Sequence, residues 1–161
     1  MSLNRAMITF GDKQAVLNID SFRKVNNYNT IITLTDGSML YMHPFDVNFY
    51  DRNSEMMKDV EDSLSPIHID DNTDLVEDHT FDRAIIQRDD KLVILNIAGA
   101  TSKNESSLTL LLADGTEFMT HPRNAKIYNS KSPVMKQVED SIVMFEHQRI
   151  QSEIKPVTRS L

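Results

Sequence analysis

The chain has 161 residues, a net charge of −7 at neutral pH, nine methionines, and neither cysteine nor tryptophan. Without cysteine there are no disulfides, zinc–thiolate sites, iron–sulfur clusters or thiol nucleophiles. No apolar run approaches the roughly 18 residues needed to span a bilayer, and "MSLNRAMITF" lacks the apolar core of a secretory signal, so the expectation is a cytoplasmic protein with no membrane contact.

In chain order, "AMITFGDKQAVLNID" places two apolar runs around a turn signal and predicts a hairpin. "TIITLT" is β-branched and extended, "DG" is a strong turn signal, and "SMLYMH" returns as the partner strand. Pro44 then separates the strands, where its missing N–H does no harm, and "DVNFY" predicts a fifth strand. In "MKDVEDSL", Met57, Val60 and Leu64 fall on one face of a helix capped by Ser54 and stopped at Ser65-Pro66.

The same series then recurs. A shift of 78 residues aligns "DK", "LNI", "DG", "HP" and the octapeptide "MKQVEDSI" with no gap, and residues 6–65 match 84–143 at 21 of 60 positions. This marks a tandem duplication, and two copies are too few for a solenoid. Gly37 and Gly115 supply the positive φ of equivalent turns. Ser132-Pro133 caps the second helix, which is expected to run towards residue 153. The predicted class is α+β and mostly β, with two small five-stranded, barrel-like or bent-sheet modules, each followed by a helix that covers its own sheet. At fold level these modules resemble the SH3, Tudor and KOW barrels, a likeness that does not determine function. The expected segments are module one at 1–65, an acidic connector at 66–83, module two at 84–155 and a tail at 156–161.

Charge is spread unevenly. Residues 6–65 carry 5 basic and 9 acidic side chains, the connector 1 and 6, and residues 84–143 balance at 7 and 7. Such asymmetry bears on partner choice. Three constellations follow. The connector "SPIHIDDNTDLVEDHTFD" offers Asp70, Asp71, Asp74, Glu77 and Asp78, which with Asp62 of the first helix form an acidic face for a basic protein. It fails as a calcium loop, because Leu75 stands where glycine is required and Phe81 where the bidentate glutamate is required. The stretch 118–136 holds Arg123, Lys126, Lys131 and Lys136 with Tyr128 and no acid, a pattern suited to phosphate contact and base stacking. The twin His43-Pro44 and His121-Pro122 positions suggest a shared structural role, tying each strand end to the next turn.

No phosphate loop, dinucleotide fingerprint, zincin motif or nucleophile elbow is present, so neither an enzyme nor a cofactor or metal site is expected. The leading expectation is a non-enzymatic adaptor acting through protein contacts on a larger complex. The alternatives are nucleic-acid binding through module two and a small-ligand binder or sponge with its site between modules. Nine Met and twelve Asn with no Trp or Cys make a composition that resembles the small accessory proteins of large tailed phages. That resemblance implies a host protein as partner and a role in modifying host processes such as transcription or defence.

Overall fold

The computed structural model describes residues 2–142. The first half contains β1 (Arg5–Phe10), β2 (Lys13–Asn26), β3 (Asn29–Leu34), β4 (Met39–Met42), β5 (Val47–Tyr50) and α1 (Glu55–Leu64). A two-residue strand β6 (Ile67–His68) follows. The second half contains β7 (Arg83–Arg88), β8 (Lys91–Asn104), β9 (Ser107–Leu112), β10 (Glu117–Thr120), β11 (Ala125–Tyr128) and α2 (Pro133–Ile142). Every element of the first half except β6 has its counterpart 78 positions later with identical bounds. The second helix beyond residue 142 and the tail 156–161 lie outside the described residues.

The strands do not close into barrels. They form one continuous open sheet in the order β10-β9-β8-β7-β11-β4-β3-β2-β1-β5, with β6 added to β2. A separate barrel would need β4 to meet its own fifth strand. That edge is instead taken by β11 of the other half, antiparallel, with Tyr41 opposite Ile127 and Leu40 opposite Tyr128. Backbone N–H and C=O groups on a strand edge bond to any suitable strand, so duplicated modules can exchange such pairings. The two halves therefore share a sheet, and β5 and β10 are its outer strands.

The 14-residue strands β2 and β8 allow each half to bend. Residues of β2 up to Asn18 pair with β1, and from Ile19 onward the strand pairs with β3 across a register shift between Ile19 and Ser21. β8 has the matching shift between Ile97 and Gly99. Such irregularities kink a strand and increase its twist. The turns after β3 and β9 depend on Gly37 and Gly115, at φ 83° and 91°, where a Cβ would be strained.

The helices break the symmetry. Val134, Met135, Val138 and Ile142 of α2 are buried in one cluster with Ile8, Leu17, Ile32, Leu34 and Leu40 of the first half and Ile85, Ile94 and Tyr128 of the second, so α2 is buried where the two halves meet. Burial of side chains of this size contributes about 1.5–3 kcal/mol each. The expectation that each helix covers its own sheet is met only in part: α2 reaches its own half and also spans onto the first, while α1 meets its own sheet mainly through Met57 and Glu61. The α1 counterparts Met56, Val60 and Leu64 are 80%, 38% and 48% exposed, and only Met57 is half-buried, against Met7, Val16 and Tyr50. Caps nevertheless form on both. Ser54 Oγ accepts from Met57 N–H and Ser132 Oγ from Met135 N–H, while Ser65 ends α1 in the left-handed region at φ 50°. Among the described residues no helix is long and apolar enough to cross a membrane.

Candidate functional site: an anchored acidic strap

The repeated glutamate of the octapeptide is structural. Glu61 is buried and accepts from Tyr50 Oη at 2.6 Å and Arg5 Nη1 at 3.4 Å. Glu139 does the same with Tyr128 Oη and with Arg83 Nη1 at 3.3 Å. The two arginines are held by Asn18 and Asn96 at 3.0 and 3.1 Å. Burial and the adjoining carboxylate raise the Tyr128 hydroxyl well above its ordinary pKa, so it remains a donor. Reading the octapeptide alone misses this network. Its sequence signal is that Arg, Asn, Tyr and Glu all recur at the same spacing.

The connector is pinned along its length. β6 runs parallel to β2, Ile69 is buried in the core, and Ile69 N–H donates to Val16 C=O at 3.0 Å. Gln137 of α2 clamps the Asp70 backbone through its amide, accepting from the N–H at 3.1 Å and donating to the carbonyl at 3.2 Å. Val76 N–H reaches Asp36 C=O at 2.9 Å, and Asn129 Nδ2 donates to Asp78 C=O at 2.7 Å. Asp82 receives Ser130 N–H and Oγ at 2.7 and 2.8 Å. The strap therefore touches both halves.

Along this strap Asp70, Asp71, Asp74, Glu77 and Asp78 are exposed, as is Asp62 on α1. Asp71 accepts from Asn18 Nδ2 at 2.9 Å. Asp78 pairs with Lys131 at 3.2 Å, and the Thr80 hydroxyl, helped by its N–H and by Lys131, lowers the Asp78 pKa to about 2. Leu75 stands 75% exposed among these carboxylates. Beside it, Asp74, Val76, Glu77, Lys131 and Pro133 line an open groove of about 500 Å³.

The structure scatters the basic stretch of the second half. Tyr128 is fully buried, so its ring offers no face to a base. Lys126 is buried over the Phe10 ring and pairs with Asp46 at 3.6 Å, and burial lowers its pKa. Arg123 is half-exposed but bonded to Asp46 at 3.0 Å. Lys131 is engaged by Asp78, and Lys136 is exposed on α2.

Both histidines cap short 3-10 turns. His43 Nδ1 accepts from Phe45 N–H and His121 Nδ1 from Arg123 N–H, each at 3.1 Å. The join of the halves brings the two rings to 6.4 Å. Desolvation, outweighing the nearby Asp46, lowers the His43 pKa. With Tyr28, Phe45, Glu105 and Arg123 the rings line an open cleft of about 490 Å³. Among the described residues no three His, Asp or Glu side chains converge as a metal site would. Comparison of the chain with protein-family models, with curated proteins and with solved structures finds no match.

Proposed function

We propose that this chain is a non-enzymatic binding protein that captures a basic protein surface through the acidic strap. The observation that supports this reading is the anchoring of exposed carboxylates on a backbone bonded to both halves. A flexible acidic linker would lose conformational entropy on binding, whereas a pinned one presents its charges in place. Leu75 adds an apolar contact at the centre of the patch. Affinity capture from cell extract tests the reading, with the triple variant Asp70→Lys, Asp74→Lys, Glu77→Lys as comparison. A partner lost on charge reversal and weakened by salt is expected. An unchanged partner set would overturn the reading.

Nucleic-acid binding is less well supported, because Lys126, Arg123 and Lys131 already face carboxylates and Tyr128 is buried. Duplex DNA titrated at low and physiological salt is expected to show no tight, steeply salt-dependent complex. A second reading rests on the cleft at the join, where His43, His121, Arg123 and Phe45 would suit a small aromatic or anionic ligand. Native mass spectrometry of freshly purified protein would reveal such a ligand as a fixed added mass. The bare chain mass would count against it.

A further inference from the structure

The join between the halves has three parts. β4 pairs with β11. α2 lays its apolar face in a cluster formed mainly by the first half, with Ile85, Ile94 and Tyr128 of its own. Asp36, fully buried, receives Ser132 Oγ at 2.6 Å and Val134 N–H at 3.2 Å, and so caps the incoming helix.

Moved 78 residues, each part has a counterpart that does not meet its partner among the described residues. The counterpart of β4 is β10, and that of β11 is β5, and these are the two outer strands of the sheet. The counterpart of α2 is α1, with Met56, Met57, Val60 and Leu64 standing for Val134, Met135, Val138 and Ile142. The counterpart of Asp36 is Asp114, which is exposed yet already holds the same turn. Asp114 Oδ1 accepts from Thr116 N–H at 2.9 Å, as Asp36 Oδ1 accepts from Ser38 N–H at 2.9 Å. Leu95, Leu112 and Asp114 border a small cleft of about 40 Å³, where Leu17, Leu34 and Asp36 of the first half are fully buried.

We propose that a second copy of this chain fills these positions, so that the protein assembles head to tail through a repeat of its own internal join. β10 of one copy pairs with β5 of the next, with Met119 opposite Phe49 and Phe118 opposite Tyr50, the register carried over from β4 and β11. α1 of the second copy lays Met56, Val60 and Leu64 on the second half of the first copy. Asp114 accepts from Ser54 Oγ and Met56 N–H of the second copy.

The occupant is argued from continuity with the join already formed. One surface is the apolar helix face and the other is the preformed cap and cleft that its duplicate uses. The ion pairs of the internal join are not repeated in it. Where the internal join sets Asp46 against Arg123 and Lys126, the external one sets Asn124 against Phe45 and Asn48. Without those ion pairs it is held by strand pairing and apolar contact. The two faces differ, so the contact is heterologous and produces a closed ring or a filament rather than an isologous dimer.

Sedimentation and light scattering of the full chain test this. The mass is expected to be a multiple of 18.4 kDa. Val60→Glu combined with Asp114→Lys, both exposed sites, is expected to weaken association by at least about tenfold while the unfolding midpoint is retained. A monomer at up to about 100 µM, where even micromolar interfaces are populated, would overturn the proposal and leave the α1 face to a different partner. An assembly indifferent to the double variant would overturn it too. Because the chain has no cysteine, Ser54→Cys and Asp114→Cys variants report geometry directly. Oxidation is expected to cross-link a mixture of the two variants and neither variant alone. Cross-linking within a single variant, or none in an associating mixture, would contradict the head-to-tail arrangement.

Discussion

Asp36, in the turn after β3, accepts the hydroxyl proton of Ser132, the N-cap of α2, at 2.6 Å across 96 positions of sequence. The same carboxylate takes Val134 N–H at 3.2 Å, Ser38 N–H at 2.9 Å and Ser38 Oγ at 2.6 Å. A buried carboxylate is tolerated when each lone pair is bonded, and here the bonds tie one half of the molecule to the other. Asp36→Ala leaves several buried donors without a partner and is expected to cost about 3–5 kcal/mol. Ser132→Ala removes the cap hydroxyl alone and is expected to cost about 1–2 kcal/mol. Urea unfolding followed by circular dichroism measures both, and equal costs would show that the Asp36 network is not what holds the helix.

Tyr50→Phe and Tyr128→Phe each remove a hydroxyl donor from a buried glutamate, Glu61 or Glu139. Each is expected to destabilise by about 1–3 kcal/mol, the cost of an unsatisfied buried acceptor. Thermal unfolding of the two variants checks this. A negligible loss in both would mean that the repeated glutamate is retained for another reason.

Asp46 and Lys126 are both buried and pair at 3.6 Å, while Arg123 also reaches Asp46 at 3.0 Å. The two truncations are therefore unequal. Asp46→Ala leaves Lys126 charged and buried and is expected to cost about 3 kcal/mol. Lys126→Met leaves Asp46 with Arg123 and keeps the aliphatic packing over Phe10, with an expected cost of about 1 kcal/mol or less. Denaturant midpoints at constant slope give the comparison, and the reverse order would refute it.

His43 titrates below its ordinary value of 6.5 because burial disfavours the charged ring. The unfolded chain then binds the proton first as pH falls. The contribution of His43 is thus fully present above the unfolded value and is lost as pH drops through 6.5 towards the lower folded value. His43→Asn keeps a side-chain acceptor for Phe45 N–H and removes the titration. Its stability is expected to fall less than that of the wild type between neutral pH and pH near 5, a range that brackets the ordinary histidine pKa. Parallel pH profiles for the two proteins would show that His43 is not a source of the dependence.

Much of the fold is legible in the sequence, because its signals are local. Alternation and β-branched residues mark the strands, Gly37 and Gly115 mark the turns, and Met57, Val60 and Leu64 mark a helix face. The pinning of the strap is not legible. Asn18, Gln137 and Asn129 hold it from distant parts of the chain, and a run of carboxylates reads alone as a solvated linker. Nor does the run of Arg123, Lys126 and Tyr128 disclose that two of these side chains turn into the core.

The sequence by itself determined the duplication, the element order and the apolar faces, since each is written in periodicities of two, 3.6 and 78 residues. Only the tertiary structure decided that the halves share one open sheet and that α2 is buried while α1 is not. Both helices carry the same apolar pattern, and backbone edges pair without regard to side-chain identity. Which strand meets which edge, and which helix meets which core, is decided by contacts between distant parts of the chain, such as Asp36 with Ser132 and Asp46 with Arg123 and Lys126.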